Sequence, residues 1–337
     1  MSRQFHLDLR QTERAIRVIK EYFQINLGEA LNLLRVSAPL FVLADTGIND
    51  NLNGLELPAS FAIKGLGGRR AEIVQSLAKW KRMALADYGF APGEGIYTDM
   101  NAIRPDEVID DIHSIYVDQW DWERVMCPGE RNVAFLRGVV EKIYHVIYRT
   151  ERHVAEKFPG IIPVLPETIH FVHSSELEHR YPSLSRRERE DAVAREHGAV
   201  FISGIGAALA DGKPHDGRAP DYDDWTTPAE LGLGLNGDIF VWSDVLGRSL
   251  ELSSMGIRVD AESLKRQLKI CGAEDRLKFH WHQRLVAGEL PQTIGGGIGQ
   301  SRLCMLYLRK CHVGEVQCSI WSDEMRKALK AQGNMLL

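Results

Sequence analysis

Apolar side chains return at three- and four-residue steps from Ile16 through Ile19, Phe23, Leu27 and Leu31 to Leu34, which predicts a long amphipathic helix over 11–34. A short apolar run follows from Val36 to Leu43. Pro39 inside it lacks a ladder donor, so the run reads as an edge strand or a bulge. Residues 61–75 pattern as a hairpin turning at Gly67-Gly68. A second long helix is predicted over 131–157, stopping before Phe158-Pro159-Gly160. Ser185-Arg186-Arg187-Glu188 has the form of a capping box opening a helix that ends at Gly198. Strands are expected at 167–173, 199–204, 237–243 and 248–259, helices at 260–271 and 275–288, and a long polar loop between 205 and 236. The strands arrive in hairpins and short clusters instead of alternating with helices. That predicts an α+β fold, an antiparallel β-sheet flanked by helices. No repeat, low-complexity segment or linker interrupts the pattern, so 1–337 reads as a single domain.

Composition narrows the class. With 337 residues, 44% of them apolar, the chain can bury a large core. Its 41 Lys and Arg against 46 Asp and Glu leave a net charge of −5, which offers no global attraction for nucleic acid. No apolar run approaches the ~20 residues that span a bilayer. The start, Met1-Ser2-Arg3-Gln4-Phe5-His6, leads into a charged helix without the apolar stretch of a signal peptide, so a cytoplasmic location and no membrane partner are expected. Five cysteines form no C-x-x-C pair and read as reduced thiols. His280 and His282 fall in a helical pattern that turns their rings apart, which does not suit zinc.

Several polar clusters stand out from this background. Gly295-Gly296-Gly297-Ile298-Gly299-Gln300-Ser301-Arg302 runs into an apolar segment that starts a helix. Alone it reads equally as a tight turn or as backbone passing close to an anion, with Arg302 adding positive charge. Ile103-Arg104-Pro105-Asp106-Glu107 precedes a strand, His113 to Trp122. Alternation puts Gln119 and Asp121 on one face with Ile115 and Val117, and Tyr116, Asp118, Trp120 and Trp122 on the other. Ala219-Pro220-Asp221-Tyr222-Asp223-Asp224-Trp225 packs three acids beside Arg218: a solvated turn, a metal site, or a clamp for a ligand's ammonium group. Asp238 and Glu251, if adjacent strands bring them together, give Mg²⁺ the one or two carboxylates it takes beside nucleotide phosphates. In the second strand, Glu251, Ser253 and Met255 alternate with Leu252, Ser254 and Gly256. Together the clusters amount to equipment for activating a carboxylate with ATP.

The 103–107 segment and its strand resemble motif 2 of class II aminoacyl-tRNA synthetases. Gly297-x-Gly299-x-x-Arg302 is similar to their motif 3, and the helix–strand unit with Pro39 to motif 1. Longer stretches resemble the ammonia-dependent asparagine synthetases, or aspartate–ammonia ligases: residues 113–126, 219–225, Glu251 to Arg258, and Pro291 to Arg302. Ser301 stands where the tRNA-charging enzymes often carry an acid. The resemblance implies a class II synthetase-like catalytic core of six to eight strands, a homodimer, and Mg-ATP as cosubstrate. It also implies amidation of L-aspartate by ammonia through a β-aspartyl adenylate, releasing AMP and pyrophosphate.

Carried over residue by residue, it implies that Arg104 holds the α-phosphate and Gln119 orients the attacked carboxyl group. Arg302 meets the γ-phosphate side of ATP, Asp238 and Glu251 hold Mg²⁺, and Arg258 and Gly297 also belong to the nucleotide site. Ser76, Lys81, Asp121, Arg218, Asp223 and Ser254 form the aspartate pocket, Lys81 and Arg218 meeting carboxylate and Asp121 and Asp223 the ammonium. Asp50, in Ile48-Asn49-Asp50-Asn51-Leu52, matches the candidate base for the ammonia step; by its residues alone it is a turn-forming Asp. Glutamine is not the expected nitrogen donor, because Ser2 stands where glutamine-using enzymes place a cysteine. The alternative is an aspartyl- or asparaginyl-tRNA synthetase-like paralogue acting on tRNA, which ordinarily adds a basic anticodon domain for which the chain has no room.

Overall fold

Asp8 and Gln11 form a capping box in front of α1 (Leu9–Leu31), whose buried stripe includes Ile16, Ile19, Phe23, Leu27 and Leu31. The computed structural model describes residues 7–50 and 56–337, so Asn51 and Leu52 of the Asp50 loop lie outside the described residues. Of the expected 36–43 strand only Phe41 to Leu43 is extended, and Leu33 and Leu34, expected to end the helix, start a separate strand. β1 (Leu33–Arg35) and β2 (Phe41–Leu43) belong to different sheets, and the intervening segment carries Pro39. β3 (Ser60–Ile63) and β4 (Arg69–Ile73) make the expected hairpin, with Gly67 and Gly68 at positive φ in its turn; β2 adds to its other edge.

Then come α2 (Ala78–Asp87) and β5 (Gly95–Ile103), neither foreseen, and β6 (Tyr116–Val125). α3 (Val133–Lys157) opens on Asn132, whose side chain accepts from the Phe135 N–H. β7 (His170–His173) and α4 (Ser174–Arg180) precede α5 (Arg186–His197), which has the predicted Ser185–Glu188 capping box and ends at Gly198. β8 (Ala199–Ser203) leads into the polar loop, which holds a small hairpin of β9 (Pro228–Ala229) and β10 (Gly232–Leu233). β11 (Asn236–Ser243), β12 (Arg248–Ile257) and α6 (Ala261–Ile270) follow as expected. The 275–288 helix is broken: a 3₁₀ segment precedes α7 (His280–Val286), with His280 exposed and His282 buried. β13 (Thr293–Gly299), α8 (Gln300–Leu308) and α9 (Asp323–Ala331) complete the order.

One sheet organises the molecule, in the order β1-β5-β6-β13-β12-β11-β8-β7. Its two outer pairs are parallel and the six inner strands are antiparallel. The α+β reading with helices against an antiparallel core therefore holds. Trp120 and Trp122 of β6, Ile294 and Ile298 of β13, and Met255 and Ile257 of β12 pack into one cluster with the buried sides of α1, α3 and α8. The other face of these same strands is polar, and it forms the floor of a cavity.

Candidate active site

β6 shows how the floor is made. With Trp120 and Trp122 committed to the core, alternation sends Gln119, Asp121 and Glu123 to the opposite side. Beside them runs β13, in register Gly299↔Gln119, Gly297↔Asp121 and Gly295↔Glu123. The glycine run is thus neither a turn nor a phosphate loop, and Gly295 to Gly299 have no positive φ. The strand needs glycine because it must lack side chains on one face. A Cβ on Gly297 would strike the Gln119 amide, and one on Gly295 would strike the Glu123 carboxylate and lie 2.7 Å from Arg258 Nη2. Side chains of β6 can therefore lie flat across a bare strand.

A β-bulge does the corresponding work on β12. Ile239 pairs with Ser253 but Phe240 with Glu251, leaving Leu252 as the extra residue. Simple alternation puts Glu251 and Ser254 on opposite faces. The bulge reverses the phase, so Leu250, Leu252, Met255 and Ile257 all reach the core while Glu251 and Ser254 line the cavity.

The cavity holds about 450 Å³. Ser76, Lys81, Arg104, Gln119, Asp121, Arg218, Asp223, Glu251, Ser254, Arg258, Gly297 and Arg302 all line it, brought together from segments more than 200 residues apart. Asp50 and Asp238 stand behind that lining. Arg104 Nε, Asp121 Oδ2, Arg218 Nε and Ser253 Oγ are buried with no hydrogen-bond partner among the described residues. Burying such atoms unpaired is costly, so this arrangement suits a polar ligand carrying both acceptors and donors.

At one end, Lys81 is wholly buried on α2 and bonds Asp121 Oδ1 at 2.8 Å, Trp122 O at 3.0 Å and Gly296 O at 3.1 Å. Burial lowers its pKa against the opposing pull of Asp121 and Glu123. Its three donors are engaged, so meeting a substrate carboxylate requires an exchange of partners. The Arg258 guanidinium, which also lines the cavity, bonds Glu123, with Nη2–Oε2 at 2.7 Å, and Asp223, so it braces the acidic end of the pocket. Glu123 is buried, yet Arg258 holds its carboxyl below the usual range.

At the other end, Arg302 Nη1 bonds Glu251 O at 3.1 Å and lies 3.4 Å from Glu251 Oε2. Arg218 bonds both oxygens of Asp238, one at 2.5 Å. Burial pushes Asp238 up to about 7 although Arg218 opposes it, and the neighbouring Glu251 adds to the rise. Asp238 and Glu251 repel each other, and a divalent cation would relieve that repulsion if Arg218 exchanged Asp238 for another partner.

Asp50 is buried, and its pKa is pushed up to about 6 by burial and by Asp221, against Lys79 and Arg104. Gln75 Nε2 donates to Asp50 O at 3.0 Å, and Asn49 Oδ1 accepts from the N–H of both Asp50 and Gln75. These bonds fix Asp50 to the segment that carries Ser76. Asp221 behind it receives Arg276 at 3.0 Å, His282 at 3.1 Å and Lys79 at 3.4 Å. Burial alone raises a carboxyl, but Lys79, the hydrogen bond to His282 and Arg276 hold Asp221 well below the usual range.

Comparison with known proteins decides the family. Residues 10–333 match the family model described as aspartate-ammonia ligase. The chain is 60% identical over 332 residues to the aspartate–ammonia ligase of Parabacteroides distasonis, covering 98% of this chain and 96% of that one. It is 53% identical to that of Clostridium tetani, with 98% and 95% covered. The chain belongs to the aspartate–ammonia ligase family. Among solved structures it resembles asparaginyl-tRNA synthetase from Pyrococcus horikoshii complexed with asparaginyl-adenylate, at TM-score 0.66, 15% identity, and 90% and 67% coverage. Aspartyl tRNA synthetase from Entamoeba histolytica matches at TM-score 0.63, 16% identity, and 92% and 59% coverage. These distant likenesses show the class II synthetase fold of this ligase and nothing of its substrate.

Three contributors to the site were not singled out from sequence. Glu123 has the parity of Gln119 and Asp121, so extending the strand past Trp122 finds it. Lys79 is hidden because α2 buries Lys79, Lys81 and Arg82 together, which erases the apolar period. Tyr222 was visible within the acidic loop but carried no mark of its place in the cavity.

Proposed function

We infer that this family member is an AMP-forming ligase that converts L-aspartate, ammonia and ATP to L-asparagine through a β-aspartyl adenylate. The observation that carries the reading is the gathering of Arg104, Gln119, the bare glycine strand and a two-ended charged pocket around one cavity. A carboxylate resists ammonia because it is already negative and has no good leaving group. Joining AMP to the β-carboxylate removes both obstacles. Arg104 stabilises the α-phosphorus as a carboxylate oxygen adds and pyrophosphate departs, and its buried Nε, without a partner among the described residues, suits a phosphate oxygen. Gln119, lying over Gly297, orients the attacking carboxyl group.

Asp121 and Asp223 receive the α-ammonium and Arg218 a carboxylate, with Ser76, Ser254 and Lys81 completing the aspartate pocket. Arg302 takes the far end of the triphosphate. Asp238 and Glu251 hold Mg²⁺, which when bound neutralises charge on the phosphates. Asp50, on this reading, is the base for the ammonia step. The resemblance that motivates these roles also implies a cytoplasmic homodimer.

The nitrogen source and the rival tRNA reading are tested together. Ammonium is expected to support asparagine formation, glutamine not to replace it, and labelled aspartate or asparagine not to be transferred to tRNA. Turnover with glutamine at the ammonium rate, or charging of tRNA, contradicts the reading.

A further inference from the structure

Asp118 has the parity of Trp120 and Trp122, so β6 carries a buried carboxylate on its core side. A charge placed there is costly unless it is paired and hydrogen-bonded. Next to it starts α8, which follows Gly299, a cap without a side chain, so the leading N–H groups lack the usual local acceptor. Asp118 supplies one from another element. Its Oδ1 accepts from the Ser301 N–H at 3.2 Å, from Ser301 Oγ at 2.7 Å and from Gln317 Nε2 at 3.2 Å. Its Oδ2 receives Lys20 Nζ of α1 at 3.2 Å, which balances the charge. Gln317 Nε2 also donates to Ser301 Oγ at 3.0 Å, closing the group.

β5 repeats the arrangement one residue earlier in α8. Asp99 Oδ1 accepts from Gln300 Nε2 at 2.9 Å, and Asp99 Oδ2 is paired with Arg35 of β1 at 2.6 Å. Acids of two neighbouring strands thus fix the first two residues of α8, and the third is Arg302. A Cβ on Gly299 would lie 3.4 Å from Arg302 Cβ and 3.6 Å from its Cδ, so the arginine stem runs beside that glycine. Its guanidinium then reaches Glu251 O at 3.1 Å. Where the charge of Arg302 stands is therefore set by where α8 begins.

We propose that Asp118 is a positioning residue for Arg302, holding the start of α8 so that the guanidinium meets the far end of the triphosphate. This rests on the place given to Arg302 in the ligase reading. Asp118 stands at the cavity wall, but its oxygens are committed to Ser301, Gln317 and Lys20, and a carboxylate has no donor to offer a phosphate. It acts on the nucleotide through Arg302.

The test measures dissociation constants of ATP, with Mg²⁺ present, and of AMP for the unaltered full chain, Asp118→Asn, Arg302→Ala and the double variant. AMP lacks the end that Arg302 meets, so it reports on the rest of the site. Arg302→Ala should weaken ATP about tenfold or more, as loss of a charge-assisted contact does, and leave AMP within about twofold. Asp118→Asn should weaken ATP about three- to tenfold with AMP again within about twofold, since a displaced group loses part of its contact. The double variant should match Arg302→Ala, because a positioning residue then has nothing left to place. Equal losses for ATP and AMP in Asp118→Asn, unchanged ATP binding in it, or additive losses in the double variant overturn the proposal. If Asp118→Asn does not fold, Ser301→Ala, which removes the 2.7 Å bond, takes its place in the same cycle with the same outcomes. Normal ATP binding by Arg302→Ala removes that arginine from the triphosphate, and the positioning role falls with it. Aspartate-dependent ATP–pyrophosphate exchange by the unaltered chain separates the two readings. Its absence beside intact ATP binding sinks the ligase reading, while the binding cycle still decides the role of Asp118.

Discussion

Arg104 sits in the turn between β5 and β6, with Nη2 3.4 Å from Gln75 O and Nη1 4.0 Å from Glu107 Oε2. Both contacts are long, so little protein competes for the guanidinium. Arg104→Ala should therefore keep the fold while lowering the aspartate-dependent ATP–pyrophosphate exchange rate by about 10²–10³-fold, the usual cost of one donor aimed at transition-state charge. Near-normal exchange would refute the assignment. Asp50 gives a pH test at the same scale. Its carboxyl is raised to about 6, and a base works only when ionised. At fixed free ammonia, asparagine formation from preformed adenylate should fall roughly tenfold per pH unit below about 6 and level off above. Asp50→Asn should abolish that inflection along with most of the rate. A profile that stays flat down to pH 5 removes Asp50 as the titrating group.

Among the elements, β13 is the unusual one, a central strand with glycine at the three positions paired with Glu123, Asp121 and Gln119. Glycine weakens a strand, and this one is held by full pairing with β6 and β12. Gly297→Ala should push the Gln119 amide aside and slow adenylation by at least about tenfold, since a displaced orienting group costs rate more than binding. Gly295→Ala inserts a methyl group into the buried Glu123–Arg258 pair and should cost about 1–3 kcal/mol in denaturant unfolding. Gly65→Ala, where a Cβ meets nothing within 4 Å, should stay within about 0.5 kcal/mol. Equal stabilities for all three would contradict the bare-strand account.

For the whole molecule, what could be read from the chain follows from how each element advertises itself. The stripe from Ile16 to Leu31, the alternation of β6 and the Ser185–Glu188 box announce themselves because apolar or capping residues recur at the element's own period. α2 and β5 do not. The first buries cations in place of apolar residues, and the second carries Asp99 and Asn101 among its apolar positions. The role of the glycines was misread because a run of them signals freedom of backbone, whereas here their use is the space above them. Asp238 and Glu251 were brought to adjacent strands as expected, but the bulge that joins Glu251 and Ser254 on one face leaves no mark in an alternating pattern. The partners of Arg258, Glu123 and Asp223, come from other segments of the chain, and nothing in the pattern around position 258 announces them.

All of these parts serve one claim, that a single cavity first forms the mixed anhydride and then lets ammonia open it. Following both half-reactions on one sample of protein tests this most directly. Without ammonium, exchange of labelled pyrophosphate into ATP should require aspartate. On adding ammonium, AMP and asparagine should appear in equal amounts. Absence of aspartate-dependent exchange, or ADP in place of AMP, would contradict the account.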